Sequence, residues 1–295
     1  MIAADTANTK AQYFVPIFGN YYHFLCESAL GLYNMLADES ILDTLDCKLW
    51  YQGNYDEIVQ MFSHHPVVKI PLIKPYLKDA STIGADIKTL KHLRLSGDFS
   101  KLRSMVRFLE DRIYPVETQR GITIIKRGAK RIYLETDELV DRLQVLQIPV
   151  RVVQLELESF GSQVNIMRNT SILIAPHGAG TMNQVFMPAG GNIIELFPKG
   201  YSNWHAKAVA DVFGHKLTEI ESEVPGVFGR EPGTEIRQCI VEGGWPNRRI
   251  VQASRKRSQK LLRVVRDVKS YSISPERIVN AVKAALCRTI SEGTA

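Results

Sequence analysis

The stretch "ILIAPHGAGTMNQVFMPAGGNIIELFP", residues 172–198, decides how this chain is read. An apolar, β-branched run stops at Pro176-His177-Gly178-Ala179-Gly180, a segment predicted helical follows over 180–187, and a second apolar run fills 192–197. Packing gives no reason for a histidine between a proline and two glycines at a strand end. The composition is that of a place where something comes close to the backbone.

Working outward, the same rhythm repeats. "GITIIKRG" (121–128) is a short β-branched run ending in a basic turn, and "TDELVDRLQVLQ" (136–147) has apolar residues at helical spacing, with Thr136 predicted as N-cap. "PVRVVQLE" (149–156) reads as a strand, "SFGSQVNIMRN" (159–169) as a short helix, "SNWHAKAVADVFG" (202–214) as a helix ended by Gly214, and "HKLTEIE" (215–221) as a last strand. Strands alternating with helices over short connections predict a parallel sheet covered by helices on both faces. In such sheets ligands bind outside the carboxyl ends of the strands. The 176–180 turn is predicted to lie on that edge.

The front of the chain predicts a second, smaller α/β unit: a strand or loop over 13–18, a helix over 20–38, strand-like runs at 47–53 and 67–72, and a helix over 99–113. The stretch 115–119 ("PVETQ") is the candidate linker. "SISPERIVNAVKAAL" (272–286) predicts a final helix, with Ser274 as cap, Pro275 in the first turn and Ile278, Val279, Val282 and Leu286 on one face. The stretch 222–253 reads as a long loop.

Bulk properties narrow the function. A chain of 295 residues with 45% hydrophobic and 23% charged residues can bury one large core or two ordinary ones. The four cysteines, Cys26, Cys47, Cys239 and Cys287, form no C-x-x-C pair, which argues against a zinc site or a disulfide framework. The N-terminus lacks the basic and apolar regions of a signal peptide, and no window reaches the roughly 18 apolar residues of a membrane span. The expectation is a soluble, cytoplasmic protein without a transmembrane segment. A net charge of +6 allows an anionic partner without demanding one.

Candidate chemistry lies in four places. Gly178 and Gly180 would let a diphosphate reach unpaired amides at a helix start, or they serve a tight turn that needs positive φ. Lys126 and Arg127 end a strand on the same edge as His177, where cations would complement a diphosphate; alone, they read as a solvated basic turn. Glu195, inside a buried strand, either holds the two hydroxyls of a ribose or pairs with nearby cations. His23 and Glu27 share a helix face, as a general base and its orienting carboxylate do, and as ordinary exposed pairs also do. No D-x-D occurs, which argues mildly against an obligatory Mg²⁺ or Mn²⁺. The basic stretch 247–269 could bind a polyanion such as nucleic acid, but it lacks interleaved aromatics and reads better as a solvated face.

Taken together, "IAPHGAGTMNQVFMPAGGNIIELFP", "IIKRGAKR" and "NYYHFLCES" (20–28) resemble glycosyltransferase family 61. The resemblance covers 121–214 firmly and 20–27 more thinly; Thr181 stands where Leu is usual. It implies a GT-B-like fold of two Rossmann-like domains facing a cleft: an acceptor domain over 1–116, joined by a returning helix over 272–295, and a nucleotide-sugar domain over 117–271. It implies inverting transfer from a UDP-sugar to a hydroxyl of a glycan or glycoprotein, with xylose the first expectation and N-acetylglucosamine the second. Lys126, Arg127, His177, Gly178, Ala179 and Gly180 would then meet the diphosphate, Asn183 would shape that site, and Glu195 would hold the ribose. His23 or Glu27 would face the acceptor. No cofactor is expected beyond the donor itself, and no nucleic-acid partner. The competing expectations are a UDP-sugar- or glycan-binding protein without transfer activity, and polyanion binding through 248–269.

Overall fold

The computed structural model describes residues 11–16, 20–71, 83, 86–90, 99–228 and 268–293. The basic stretch 248–269, apart from its last two residues, and Cys239 lie outside the described residues. The chain divides into two compact units, Met1–Tyr114 and Pro115–Ala295. The division falls at the start of the stretch read as a linker.

In the first unit, β1 (Ala11–Val15), β2 (Cys47–Tyr51), β3 (Val68–Lys69) and β4 (Lys88–Thr89) form a wholly parallel sheet in the order β3-β2-β1-β4. Strand order reverses beside β1, whose carboxyl end leads to α1 (Tyr21–His23). Asn20 caps this helix by accepting from the His23 N–H. The helix runs directly into a π-helical segment (Phe24–Ala29) and then α2 (Leu30–Asp38). The sequence predicted a helix over 20–38 but not its wider middle, where the Leu30 N–H reaches back to the Leu25 carbonyl. α3 (Asp56–Gln60) and α4 (Leu102–Glu110) are the other helices among the described residues of this unit.

The later unit opens with β5 (Gly121–Ile125), β6 (Ile132–Tyr133), α5 (Thr136–Gln144), β7 (Val150–Val153) and α6 (Phe160–Arg168). β8 (Thr170–Pro176), a 3₁₀ helix (Ala179–Phe186), β9 (Asn192–Phe197), α7 (His205–Phe213) and β10 (Lys216–Glu221) follow. Five strands pair in parallel in the order β10-β9-β8-β5-β7. The alternation read from the sequence is therefore present, strand for strand. β5, β8 and β9 occupy the middle and are buried almost throughout, while the edge strands β7 and β10 are partly exposed. Two local expectations change. The segment after β8 is a 3₁₀ helix rather than an α-helix, and Thr136 is not the cap of α5: Glu135 precedes that helix without a side-chain cap, while the Thr136 hydroxyl donates to the Tyr133 carbonyl.

A small third sheet joins β11 (Val227–Phe228), β12 (Val268–Tyr271) and β6, and the chain ends in α8 (Pro275–Gly293). The expectation that this last helix returns to the N-terminal domain needs correction. Ile278, Val279, Val282 and Ala285 are built into the core of the later unit, with Leu139 and Leu143 of α5 and with Ile122, Ile172, Ile194 and Leu196 from one face of the sheet. An apolar stripe on a terminal helix is stabilised by the apolar face it covers. Here that face belongs to its own unit. Among the described residues no helix is long and apolar enough to cross a membrane.

Because Ile278 has no exposed surface, Ile278→Ala should cost about 2–5 kcal/mol. The exposed Lys283→Ala should stay within about 0.5 kcal/mol of the parent in urea unfolding. Equal, small effects would remove α8 from the core.

Candidate active site at the carboxyl edges of the sheets

Crossovers carry the later sheet from β5 outward to β7 and then back to β8 on the other side of β5. Between β5 and β8 successive connections leave in opposite directions, and this opens a crevice at their carboxyl ends. β5 ends at Ile125, just before Lys126 and Arg127; β8 ends at Pro176, just before His177. The residues singled out from the sequence thus flank the switch point.

Arg127 lies directly against Gly178. A Cβ on Gly178 would sit 1.8 Å from the Arg127 Nη1. A Cβ there would have to push the guanidinium aside, whereas backbone twist makes no demand: Gly178 has φ 163°, ordinary extended backbone, and Gly180 is not among the glycines with positive φ. The alternative of a tight turn needing positive φ is therefore set aside. At Gly180 the nearest atoms to an added Cβ are 3.9 Å away, so of the two glycines only Gly178 is in tight contact with Arg127. Arg127 Nε donates to the Lys130 carbonyl at 2.8 Å, and partial burial lowers the guanidinium's pKa. Lys126 is exposed, its N–H spent on the Val153 carbonyl, so Arg127 is the cation in contact with the turn. Ala179 and Gly180 open the 3₁₀ helix half-buried, and the first amides of such a helix have no carbonyl within it to meet. Asn183 donates from Nδ2 to the Gly180 carbonyl at 3.3 Å and so braces the turn.

His177, just after β8, and Glu195, in β9, meet beside this turn. His177 Nδ1 is 2.7 Å from Glu195 Oε1, and Glu195 has no exposed surface. The imidazole stacks on Phe197 at 4.8 Å and meets Tyr201 at 5.1 Å. Glu195 was read from the sequence as a ribose ligand or the partner of a cation; the structure buries it against His177, with the cation Arg131 bearing on the same carboxyl. Burial pushes the Glu195 carboxyl up to about 8, opposed by Arg131 and Thr181. Burial, with Arg131 and Arg127 nearby, lowers His177 to about 3. The contact is consequently a hydrogen bond between neutral groups, because stripping water from both charges costs several kcal/mol per ion.

Arg131, Tyr271 and Glu219 escaped the sequence reading. Arg131 bears on His177, Glu195 and Tyr271 and adopts φ 56°, a strained conformation for a side chain that is not glycine. Only the four-residue spacing from Arg127 hinted at it. Tyr271, donating to the Leu196 carbonyl, comes from a strand with no recognisable motif.

In the first unit the helix after β1 brings His23 Nδ1 to 3.0 Å from Glu27 Oε1. Glu27 is buried and His23 half-buried, so this is not the exposed pair that helical spacing alone suggests. Glu27 belongs to the π-helical segment, a rare geometry that recurs at functional sites. Tyr55, which follows β2, stacks on Phe24 at 4.4 Å and lies 5.7 Å from Tyr21. Among the described residues no cluster of three or more His, Cys, Asp or Glu could hold a metal ion.

The neutral pair makes a signed prediction about pH. Glu195 sits above its ordinary 4.5, so its contribution is complete below 4.5 and is lost as pH rises through about 8. His177 sits below its ordinary 6.5, so its contribution is complete above 6.5 and is lost as pH falls through about 3. Between 4.5 and 6.5 the two slopes cancel. Melting temperature should therefore fall from pH 6.5 to 8.5 in the parent and stay flatter in Glu195→Gln; parallel curves would contradict a buried neutral carboxyl.

Comparison with known proteins identifies the family. A profile of the family described as Glycosyltransferase 61 matches residues 21–194, more than half of the chain and parts of both units. The chain is 31% identical over 105 residues to protein O-linked-mannose β-1,4-N-acetylglucosaminyltransferase 2 of Tetraodon nigroviridis, covering 34% of this chain and 18% of that protein. The human protein of that name gives 30% over 105 residues, with the same coverage. With α-1,3-arabinosyltransferase XAT3 of Oryza sativa subsp. japonica it shares 24% over 207 residues, 63% of this chain and 35% of the relative. The aligned part thus spans about a fifth to a third of these relatives' own length. With the profile running from the capped helix of the first unit through the switch point of the second, the chain belongs to glycosyltransferase family 61.

Proposed function

We propose that this chain transfers a sugar from a nucleotide donor, a UDP-sugar, to a hydroxyl of a glycan or glycoprotein, with inversion at the anomeric carbon. The single observation that carries the reading is the contact of Arg127 with Gly178 at the β5/β8 switch point. A cation and the first amides of a helix there suit the two phosphates of such a donor. Family membership supports transfer as the activity. The matched relatives are named for arabinose and N-acetylglucosamine, so they do not choose the sugar; xylose stays the first proposal and N-acetylglucosamine the second.

In this reading the donor's diphosphate binds across the 177–180 turn, with Arg127 as the main cation and Lys126 adding longer-range attraction. As the bond to the anomeric carbon breaks, negative charge grows on the leaving phosphate. Arg127 and the turn amides meet it without a resident metal. Fixed donors aimed at developing charge are worth several kcal/mol where water is excluded. His23 takes the proton of the acceptor hydroxyl and Glu27 orients its imidazole, a role that contributes about 10²–10⁴-fold. Glu195 serves the donor site through His177 rather than by holding a ribose.

Two experiments test this. Incubating the protein with a panel of UDP-sugars should give slow hydrolysis of one donor by NMR, unchanged in EDTA. In the same series UDP affinity should fall about 10–100-fold in Arg127→Ala, as for a lost charge-assisted contact. UDP binding without turnover of any donor would favour a binding protein, and unaltered affinity in the variant would remove Arg127 from the site. Separately, His23→Ala should keep its UDP affinity while transfer falls by about 10²–10⁴-fold. An active variant would assign the proton to another group.

A further inference from the structure

We propose that Glu195 is a positioning residue which holds its own proton toward His177 Nδ1, so that the imidazole presents Nε2–H as a hydrogen-bond donor to an anionic oxygen of the bound ligand. The identity of that oxygen, a phosphate of the sugar nucleotide, rests on the function proposed above; the tautomer does not.

The geometry leaves one hydrogen between Nδ1 and Oε1, 2.7 Å apart, and the direction it faces decides what the other ring nitrogen offers. If Glu195 were ionised, the ring would donate from Nδ1 and leave Nε2 as an acceptor, the wrong polarity for an anion. Three observations oppose ionisation. Glu195 is wholly buried. Its second oxygen, Oε2, has no partner within hydrogen-bond length and angle among the described residues, although the Thr181 hydroxyl bears on the carboxyl and favours its charge, whereas a buried carboxylate needs donors on both oxygens. Glu219 pairs with Glu195 in register on the neighbouring strand β10, and two carboxylates side by side repel. An imidazolium is opposed in turn by burial of the ring and by Arg127 and Arg131. A neutral carboxyl beside a neutral imidazole remains, and the nitrogen is the better acceptor of the shared proton.

The surroundings hold this arrangement in place. The ring is clamped by Phe197 and Tyr201, and the His177 N–H is tied to the Leu196 carbonyl at 2.8 Å. The groups bearing on the pair are Arg127 and Arg131 from the turn after β5, Glu219 from β10, Tyr271 from β12 and the hydroxyl of Thr181 from the 3₁₀ helix. Arg131 favours the carboxylate, but burial is the larger influence on Glu195.

The test begins with protein labelled with ¹⁵N at its seven histidines, the His177 signals being identified by their loss in His177→Gln. From pH 5.5 to 7.5, His177 should show an unprotonated Nδ1 and a protonated Nε2, without titrating. A protonated Nδ1, or an imidazolium titrating near pH 6.5, overturns the proposal. UDP is then the probe of the consequence. Glu195→Ala should weaken UDP binding about tenfold, the effect of losing one hydrogen bond, and Glu195→Gln should restore it, since an amide N–H can still donate to Nδ1. Parental affinity should decline above pH 8 while that of Glu195→Gln does not. Equal losses in both variants with the same pH profile would make Glu195 merely structural. Parental protein that binds no UDP at all defeats the sugar-nucleotide reading, while the histidine spectrum still decides the tautomer.

Discussion

Parallel strands cannot be joined by tight turns; each needs a crossover that returns the chain to the same starting edge. That constraint gathers every strand's carboxyl end on one side of a sheet and covers both faces with helices. In the later unit the crossovers run first to β7 and then back past β5 to β8, so Arg127 and His177 face one another across this reversal in strand order. The first unit repeats the arrangement in its own sheet, where the order β3-β2-β1-β4 reverses beside β1 and the chain leaving β1 carries His23. Each unit therefore sets its unusual polar residues at the corresponding point of its own topology.

At these two points local rules of stability are broken. A wholly buried carboxyl is tolerated in β9 because His177 meets one of its oxygens and because it need not be charged. Arg131 keeps a left-handed backbone that costs of order 1–3 kcal/mol for such a residue. Glu27 is buried inside a π-helical segment, with His23 as its hydrogen-bond partner. Elsewhere the described core follows ordinary packing: Ile122, Ile124, Ile172, Ile174, Ile194 and Leu196 alternate along three strands beneath α5 and α8. Positive φ also occurs at Ser40, Leu45 and Gln147, so the burial of Glu27 and Glu195, more than backbone strain, sets these two points apart.

Much of this was legible in the sequence. The five strands of the later sheet are short β-branched runs between helical spacings, and Gly214 marks the end of α7 with the left-handed conformation its type suggests. The pairing of His23 with Glu27 followed from four-residue spacing. What spacing could not supply was depth. Nothing in "NIIELF" reveals that Glu195 faces His177, because the partner lies 18 residues earlier, and meets it only after β8 and β9 are laid side by side. The helix over 180–187 was foreseen, but not its tightening into a 3₁₀ form. α8 shows the same limit: its apolar stripe was evident, yet the stripe alone does not say which of two units it covers.

The central claim is that the turn after β8, with Arg127 against it, cradles the two phosphates of a sugar nucleotide. Hydrogen exchange of the protein with and without saturating UDP tests it most directly, because the first amides of the 3₁₀ helix either gain a phosphate partner or do not. The account predicts slowed exchange at Gly178, Ala179 and Gly180, with little change along α8. Unchanged exchange at those three amides while UDP is bound elsewhere would contradict it.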